Sequence, residues 1–540
     1  MLNLEIKQLS SLAKVFPNTI CGSELTNGEI ARGQSFSYQI ALKGEKATLC
    51  YEVIADSDVA VEARRVGYVP MTKPAYESCR DDDYLTKEPG LAPDPLFPVA
   101  DNKIEVSDVY TTLWVEVGFA QNAPAKNYDV TVVFYESGRE VGRKTATVCL
   151  HNQELPKQDL IFTQWFHTDC IADVHGVGVY SEEHWALIEK YVSVATAHGM
   201  NMILTPVLTP PLDTEVGGER TTVQLVKIEK KCRKYIFDFS LLERFIDTCL
   251  KCGIVYFEIN HMFTQWGAKN APKVVATVNG KEEKIFGWHT DATSKEYLSF
   301  LKKLIPAIIE VFENKGIEKN RIYFHVSDEP NDRCIEEYKC AYKALTKLIK
   351  GCEQIDALSH FEFYQKKIIK TPVVATNAIE PFLAAKAKIW CYYCCAQHEY
   401  VANRFMAMPS YRNRIIGVQM YKHSIVGFLH WGFNFYNLQY SKGKINPYEV
   451  TDAGGGFPSG DSFSIYPYEN YAIPSFRMKI FKNAIDDIRL LTLLEEKIGK
   501  ASVIELIDRV AGMDVTFKDY PKDEEFFARL YEEIFKALNN

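Results

Sequence analysis

The chain has 540 residues, more than one ordinary domain holds, so two or three domains are expected. Its 47% hydrophobic and 24% charged residues are typical of a globular protein, and the formal net charge of −8 excludes a strongly basic nucleic-acid-binding surface. No apolar run approaches the ~20 residues of a membrane span, and the first residues do not resemble a secretory signal. The composition therefore predicts a cytoplasmic protein without nucleic-acid or membrane partners, and it leaves the oligomeric state open.

The 14 cysteines are scattered through apparent strands and helices. This distribution favours buried free thiols in a reducing compartment over a disulfide framework. Cys249 and Cys252 have no partner pair nearby, and the stretch from Cys391 to Cys395 is apolar, so core packing is the better interpretation of both. No metal and no cofactor is expected.

Up to residue 155, apolar and polar residues alternate with period 2, which is typical of half-buried strands. The alternating segments are Ser35–Leu42, Thr48–Ala55, Thr112–Gly118, Tyr128–Tyr135 and Lys144–Leu150. Ser137-Gly138 predicts a hairpin turn. Residues 1–155 are therefore expected to form an all-β sandwich domain. An insertion over residues 80–98 is too rich in proline to predict a strand, and a loop of this length could extend to a neighbouring domain.

After residue 155 the pattern changes to alternating strands and helices. Eight segments are strand candidates, namely Leu160–His167, Asn201–Leu208, Gly253–His261, Arg321–Asp328, Gln354–His360, Pro372–Asn377, Lys388–Cys394 and Ser424–Phe433. Amphipathic helices are predicted over Ser181–His198, Ser240–Cys252, Ser294–Lys315 and Arg333–Ile349, with Ser181 and Ser294 as helix starts. This alternation predicts a (β/α)8 TIM-type barrel over residues 156–494, distorted where the later helices are short. Residues 495–540 are expected to form a charged helical tail on the barrel.

Two adjacent carboxylates, Asp328 and Glu329, end the buried strand candidate and are followed by Pro330. Carboxylates at the carboxyl end of a buried strand are costly unless the site uses them, and barrel enzymes have their catalytic residues at that end. The alternative interpretation is an exposed turn with two solvated acids.

Other strand candidates also end in polar and aromatic residues, and five of the seven tryptophans lie in these segments or in the loops beside them. Flat aromatic faces with amide and carboxylate neighbours suit a sugar ring. Each tryptophan taken alone is better explained by core packing, so the clustering carries this hypothesis.

Glycoside hydrolysis usually needs two carboxyl groups that flank the sugar from opposite sides. Consecutive side chains on a strand point in opposite directions, so an adjacent pair does not suit that arrangement. The pair suits substrate-assisted hydrolysis better, in which a 2-acetamido group of the sugar is the nucleophile. One carboxylate then orients the acetamido group while its neighbour, kept neutral by a raised pKa, protonates the glycosidic oxygen.

The chain resembles glycoside hydrolase family 123, whose members act as β-N-acetylgalactosaminidases. The residues that carry the resemblance are Trp165–Cys170, His261 with Trp266-Gly267, Ser327–Pro330, Trp390–Tyr392, Trp431–Asn434, Gly460-Asp461 with Tyr466-Pro467, and Ser475–Arg477 with Asp486-Asp487. The resemblance implies Asp328 as the carboxylate that orients the acetamido group and Glu329 as the general acid/base. It assigns sugar contacts to Trp165, His167, Asp169, His261, Trp266, Trp390, Tyr392, Trp431, Asn434 and Asp461. It implies a retaining exo-glycosidase that releases terminal β-linked N-acetylgalactosamine from an oligosaccharide or small glycoside.

Three alternatives remain open at this point. The first is a β-N-acetylhexosaminidase of broader specificity, since the sequence does not decide between the galacto and gluco configurations. The second is a glycan-binding or scaffold protein without activity. The third is a metal-dependent hydrolase that uses His167, Asp169, His261 and His325, although these residues lack tight ligand spacing.

Overall fold

The structure is a computed structural model that describes residues 3–232, 234–330 and 332–540. The strands before residue 155 are Leu4–Ser10 (β1), Lys14–Val15 (β2), Ile20–Cys21 (β3), Asn27–Arg32 (β4), Phe36–Gly44 (β5), Ala47–Ile54 (β6), Val59–Met71 (β7), Gly90–Pro98 (β8), Lys103–Val106 (β9), Thr111–Phe119 (β10), Asn127–Glu136 (β11) and Arg139–Glu154 (β12).

Ten of these strands form two five-stranded sheets, in the orders β1-β5-β10-β7-β8 and β4-β12-β11-β6-β9, and β2 pairs with β3. The inward residues of both sheets, such as Ile40 and Val130, share one buried hydrophobic core. Ser137 and Gly138 have φ values of 48° and 80°, as expected for a two-residue hairpin turn between β11 and β12. The predicted sandwich is confirmed.

The expectation that residues 80–98 contain no strand is wrong for its second half. Strand β8 covers residues 90–98 and pairs with β7 as an edge strand. Its prolines are tolerated because an edge strand needs hydrogen bonds on one side only. Proline content therefore distinguishes a central strand from an edge strand, and it does not exclude a strand.

The second part of the chain alternates strands and helices. Its strands are Ile161–Gln164 (β13), Met202–Thr205 (β14), Lys227–Lys231 (β15), Lys234–Asp238 (β16), Tyr256–Ile259 (β17), Val274–Val278 (β18), Lys281–Phe286 (β19), Ile322–Phe324 (β20), Glu353–Leu358 (β21), Thr371–Ala375 (β22), Trp390–Tyr392 (β23), Gly427–His430 (β24), Ile465–Tyr468 (β25) and Tyr471–Pro474 (β26). Its helices are Thr168–His175 (α1), Glu182–Ala197 (α2), Ser240–Lys251 (α3), Lys295–Asn314 (α4), Ile335–Thr346 (α5), Glu362–Gln365 (α6), Glu380–Ala384 (α7), Ser410–Lys422 (α8), Phe476–Ile498 (α9), Lys500–Ala511 (α10) and Glu525–Asn539 (α11). Short 3₁₀ turns cover Lys319–Arg321, Asp332–Cys334, Thr376–Ala378 and Gln439–Ser441.

Eight parallel strands form the barrel, in the order β13-β24-β23-β22-β21-β20-β17-β14. Each lies within or overlaps one of the eight predicted segments, so the barrel is confirmed. The barrel is nearly closed, because Asn201 bridges its first and second strands. The Asn201 backbone N–H donates to the Phe162 carbonyl at 3.2 Å, and its side-chain oxygen accepts from the Phe162 N–H at 2.8 Å.

The four predicted helices correspond to α2, α3, α4 and α5. Ser181 and Ser294 cap α2 and α4, since each side chain accepts a hydrogen bond from a backbone N–H of the first turn. Sequence reasoning missed a four-stranded sheet, in the order β16-β15-β18-β19, that lies in the loops after β14 and β17. Strands β15 and β19 of this sheet carry lysine and glutamate on both faces, so apolar alternation gave a weak signal there.

The sandwich, the barrel and the C-terminal helices contact one another. The expected boundary at residue 494 falls inside α9, which continues to residue 498. Helix α11 lies against the sandwich, where Phe535 stacks on His151 with 3.8 Å between ring centroids. Buried Asp94 of β8 pairs with Arg477 of α9 at 2.8 Å. The three segments remain proposed domains, and these contacts join them.

Two composition-based expectations concern cysteines and membranes. Among the described residues the 14 cysteines are all free thiols. Within the same residues, no helix combines the length and apolarity needed to cross a bilayer.

Candidate active site

A cavity of about 180 Å³ lies at the carboxyl ends of the barrel strands. Six predicted site residues line it, namely Trp165 after β13, Trp266 after β17, Asp328 and Glu329 after β20, Tyr392 at the end of β23 and Trp431 after β24. Parallel strands bring their carboxyl ends to one rim, and for this reason residues more than 260 positions apart in the sequence share one cavity.

The two adjacent carboxylates face the cavity together. Strand β20 ends at Phe324, and Glu329 has a left-handed backbone with φ of 42°. The pleat that would send consecutive side chains to opposite faces is therefore absent at Asp328 and Glu329, and both line the cavity. The Trp266 N–H donates to the Asp328 carbonyl at 2.9 Å and fixes this segment. A left-handed backbone at a residue other than glycine is strained and persists where surrounding contacts hold it. Such conformations concentrate at functional sites.

The pKa values of both carboxyl groups are raised, so both favour the protonated form. Removal from water raises the pKa of Glu329, and a hydrogen bond from the Tyr392 hydroxyl at 2.7 Å partly opposes that rise. Burial also raises the pKa of Asp328, and the neighbouring charge of Glu329 raises it further. Ionisation of one carboxyl disfavours ionisation of the other. The pair therefore keeps one proton up to a pH well above the usual pKa range of carboxylic acids.

A buried ion network lies beneath the pair. His325 Nε2 is 2.5 Å from Glu258 Oε1, and its Nδ1 is 3.4 Å from Asp356 Oδ1. Burial alone would lower the pKa of His325, but its hydrogen bonds and charge interactions with Asp356 and Glu258 outweigh burial and raise it to about 9. His325 is therefore an imidazolium at neutral pH, and its charge favours the ionised form of Asp328.

Tryptophans form the walls of the cavity. The Trp165 indole N–H donates to Glu258 Oε1 at 2.7 Å, and the Trp431 indole N–H donates to Asp461 Oδ2 at 3.0 Å. Trp266 is 40% exposed at the mouth. Because buried carboxylates orient two of the three indoles, their ring planes are fixed before any ligand binds.

The outer rim is held in unusual backbone conformations. Asp213, Trp266 and Tyr440 have φ values of 37°, 60° and 60°, and all three line the cavity. Asp213 Oδ2 accepts from the Tyr440 N–H at 2.9 Å, and the Asp213 N–H donates to Gln265 Oε1 at 2.7 Å. Three loops from distant parts of the chain are thereby locked together around the opening.

Sequence reasoning missed part of the lining. The missed residues include Leu212, Asp213, Cys394, Cys395, Gln439, Tyr440 and Phe457. Asp213 brings a third carboxyl to the cavity, and burial raises its pKa to about 6. Asp213 and Tyr440 lie in long loops outside any strand, so no periodic pattern pointed to them.

Six predicted sugar contacts do not line the cavity and lie behind its walls. Asp461 orients Trp431, as described above, and burial raises the pKa of Asp461 to about 7. His261 is buried and stacks on His325 with 4.3 Å between ring centroids. Trp390 begins β23 and fills the barrel interior, where its indole ring occupies the position that a Cβ at Gly427 would take.

His167, Asp169 and Asn434 belong to a second buried cluster around Arg220. The Arg220 guanidinium contacts Asp169 Oδ2 at 2.8 Å and His167 Nδ1 at 3.0 Å. The Asn434 side chain accepts from the His167 N–H and donates to the His167 carbonyl. Since His167 Nε2 is also 3.0 Å from the Trp431 carbonyl, this cluster supports the Trp431 wall.

Two groups of described residues have metal-ligand geometry, namely Cys79 with His398 and Glu399, and His261 with His325 and Asp356. In the second group, His325 is shared as a cation between Glu258 and Asp356, and the neutral imidazole is that of His261, whose pKa burial lowers well below its usual range. His167 and Asp169 bind the Arg220 cation and are not joined to this group. The residues of the metal-hydrolase alternative therefore do not assemble into one site.

The barrel, with a pair of carboxyls and tryptophan walls at its carboxyl rim, defines a glycoside hydrolase. The family model described as "Glycoside hydrolase 123, catalytic domain" matches residues 165–494, which is more than half of the chain. The chain therefore belongs to glycoside hydrolase family 123. A comparison with curated protein sequences finds no significant match.

A solved structure of the family supports the fold, and two others show lower similarity. A family 123 glycoside hydrolase from Clostridium perfringens, whose structural analysis addresses glycolipid glycan hydrolysis, superposes with a TM-score of 0.74 at 13% identity, covering 99% of this chain and 98% of that chain. A Bacteroides ovatus GH5 xyloglucanase gives a TM-score of 0.29 at 10% identity, covering 89% of this chain and 100% of that chain. A β-D-glucuronidase of Dictyoglomus thermophilum gives 0.35 at 10% identity, covering 87% and 72%.

Proposed function

We propose that the protein is a retaining exo-glycosidase that releases terminal β-linked N-acetylgalactosamine by substrate-assisted hydrolysis. The main support for the proposal is that two consecutive carboxyl groups, Asp328 and Glu329, line the same cavity. The left-handed backbone at Glu329 makes this arrangement possible. Two acids on one side of a sugar suit a nucleophile supplied by the substrate itself. The family resemblance supports the N-acetylgalactosamine specificity.

In the first step, the acetamido oxygen bonds to the anomeric carbon while the glycosidic C–O bond breaks. Glu329 gives its proton to the departing oxygen, and Asp328 accepts a hydrogen bond from the acetamido N–H. That N–H favours the ionised form of Asp328, so the shared proton belongs to Glu329 once substrate is bound. In the second step, Glu329 takes a proton from water, the water oxygen bonds to the anomeric carbon, and the bond from that carbon to the acetamido oxygen breaks, which restores the acetamido group and retains the anomeric configuration.

The buried network supports these roles. His325 lies beneath Asp328 as a cation and stabilises the charge that develops on the acetamido-orienting carboxylate. Trp165 and Trp431 present rigid apolar faces to the sugar, and Asp213 offers a carboxylate to its hydroxyl groups. A cavity of about 180 Å³ accommodates about one sugar residue, which favours exo-action.

The test compares Glu329→Gln and Asp328→Asn with the unaltered enzyme on an aryl β-N-acetylgalactosaminide. Each variant should lose turnover by roughly 100- to 10,000-fold, while Glu329→Gln still binds ligand. A thiazoline mimic of the cyclic intermediate should inhibit the unaltered enzyme and bind Asp328→Asn more weakly. Normal hydrolysis by Glu329→Gln would refute its role, and an inert thiazoline would refute the acetamido nucleophile.

The same assay separates the alternatives. Parallel assays on the aryl N-acetylglucosaminide test for a broader β-N-acetylhexosaminidase. Binding of N-acetylgalactosamine by calorimetry, without release of aglycone from any aryl glycoside, would instead support a glycan-binding protein.

A further inference from the structure

A second and larger cavity, of about 960 Å³, is lined in part by residues that follow β22 and β23 of the barrel. Cys394 and Cys395 line the active-site cavity, and the next residue, Ala396, lines the second one. The cavities also share a hydrogen-bond chain, because Gln397 accepts from the Cys394 N–H at 2.9 Å and donates to Asn377 Oδ1 at 3.1 Å. Asn377 lines the second cavity. We call this cavity the tail groove, since residues 513–522 of the C-terminal tail form its other wall.

One residue that lines the tail groove, Tyr400, is an exposed tyrosine with a strained backbone conformation. Tyr400 is 47% exposed and has a left-handed φ of 57°. The buried carboxylate of Asp81 accepts the Tyr400 N–H at 2.6 Å and pairs with buried Arg412 at 2.7 Å. The sandwich insertion therefore fixes an exposed tyrosine on the barrel, an arrangement expected of a binding surface. Met513, which is 42% exposed, adds an apolar surface from the tail.

The general acid indicates on which side the leaving group departs. Glu329 follows β20, and its carboxyl group is bonded to Tyr392 at the end of β23, three strands further round the barrel. The segment after β23 leads to Ala396 and Tyr400, and the segment after β22 contains Asn377. A glycosidic oxygen that takes a proton from Glu329 therefore lies on the side of the tail groove.

We propose that the tail groove binds the aglycone part of the substrate, as an uncharged oligosaccharide chain attached to the terminal N-acetylgalactosamine. This inference rests on the proposed function for the identity of the terminal sugar. The Tyr400 ring and Met513 suit the apolar faces of sugar rings, while Asn377, His398 and Asp519 suit their hydroxyl groups. Lys518 and Glu399 bring opposite charges to the lining, which favours a neutral glycan over an acidic one.

The experiment measures kcat/KM of Tyr400→Ala and Met513→Ala on two substrates. The aryl β-N-acetylgalactosaminide places only its small aryl group at the entrance of the groove, whereas a neutral oligosaccharide with terminal β-linked N-acetylgalactosamine extends along it. We expect a loss of about tenfold on the oligosaccharide for Tyr400→Ala and a smaller loss for Met513→Ala, with little change on the aryl substrate. Ile236→Ala, which removes a side chain of similar exposure (49%) from the four-stranded sheet, is the control and should change neither value.

Equal losses on both substrates, or no loss on either, would overturn the groove assignment. Binding of the reducing-end oligosaccharide alone, which lacks N-acetylgalactosamine, provides a readout independent of turnover. If the unaltered enzyme hydrolyses no aryl substrate but binds this oligosaccharide in a Tyr400-dependent way, the proposed function fails and the groove assignment stands. If it hydrolyses the aryl substrate but shows no Tyr400-dependent binding or turnover of the glycan, only the groove assignment fails.

Discussion

The hydroxyl group of Tyr392 donates a 2.7 Å hydrogen bond to Glu329 Oε1 across the mouth of the barrel. A donor of this kind stabilises the ionised carboxylate and holds the pKa of Glu329 below the value that burial alone would impose. Tyr392 thereby adjusts the pH range over which Glu329 can give up a proton.

Replacement of Tyr392 by Phe should therefore raise the pKa of Glu329. A general acid must be protonated to act, so the alkaline limb of the kcat/KM profile should move to higher pH by about half a unit to one unit. The pH profile on an aryl β-N-acetylgalactosaminide measures this shift, and turnover at the optimum should fall by less than about tenfold. An alkaline limb that moves to lower pH would contradict the assignment of Glu329 as the acid.

The His325 network should make stability depend on pH. The pKa of His325 is about 9 in the folded protein, above its ordinary value of 6.5. A raised pKa contributes stability that is complete below the unfolded value and is lost as pH rises through the folded value. The thermal midpoint should therefore fall between about pH 6.5 and 9, as measured by scanning calorimetry.

His325→Gln provides the matched comparison for that pH dependence. The variant leaves Glu258 and Asp356 buried without their cation, and it should be destabilised by ~3–5 kcal/mol at neutral pH. It should also lose the part of the pH dependence that His325 supplies. An identical pH dependence in both proteins would show that His325 is not the titrating group.

Asp213 distinguishes two glycosidase mechanisms, because it is the third carboxyl on the cavity. If the acetamido group is the nucleophile, Asp213→Asn keeps most of the chemistry and loses about tenfold in kcat/KM through a weakened hydroxyl contact. Steady-state kinetics and mass spectrometry of the enzyme check this expectation. A covalent glycosyl ester on Asp213 in the unaltered enzyme would instead identify it as the nucleophile.

The ion pair between Asp94 and Arg477 should join the sandwich to the barrel. The guanidinium donates two 2.8 Å hydrogen bonds to the carboxylate, and both side chains are buried. Asp94→Asn should therefore lower the free energy of unfolding by ~3–5 kcal/mol in denaturant titrations. The control is Glu182→Gln, which breaks an exposed pair with Arg244 and should cost less than ~1 kcal/mol. Similar losses from the two substitutions would contradict this role.

The sequence determined the barrel because its eight strands are short apolar runs and amphipathic helices separate several of them, a pattern that depends on local residue spacing alone. Strand β8 escaped detection, since its prolines obscured an edge strand whose unpaired side needs no N–H donors. The catalytic candidates Asp328 and Glu329 were accessible to sequence reasoning because they lie a few residues after a buried apolar strand.

What only the tertiary structure decided is how the site is closed and supported. Consecutive side chains of a strand point to opposite faces, but the left-handed backbone at Glu329 interrupts that alternation, and both Asp328 and Glu329 line one cavity. Asp213 and Tyr440 meet although 227 positions separate them, and Glu258 and His325 meet beneath the cavity floor. The local sequence predicts strands and helices because their buried residues recur with a fixed period. Contacts between loops depend on where the folded barrel places the loop ends, and residue periodicity carries no information about those positions.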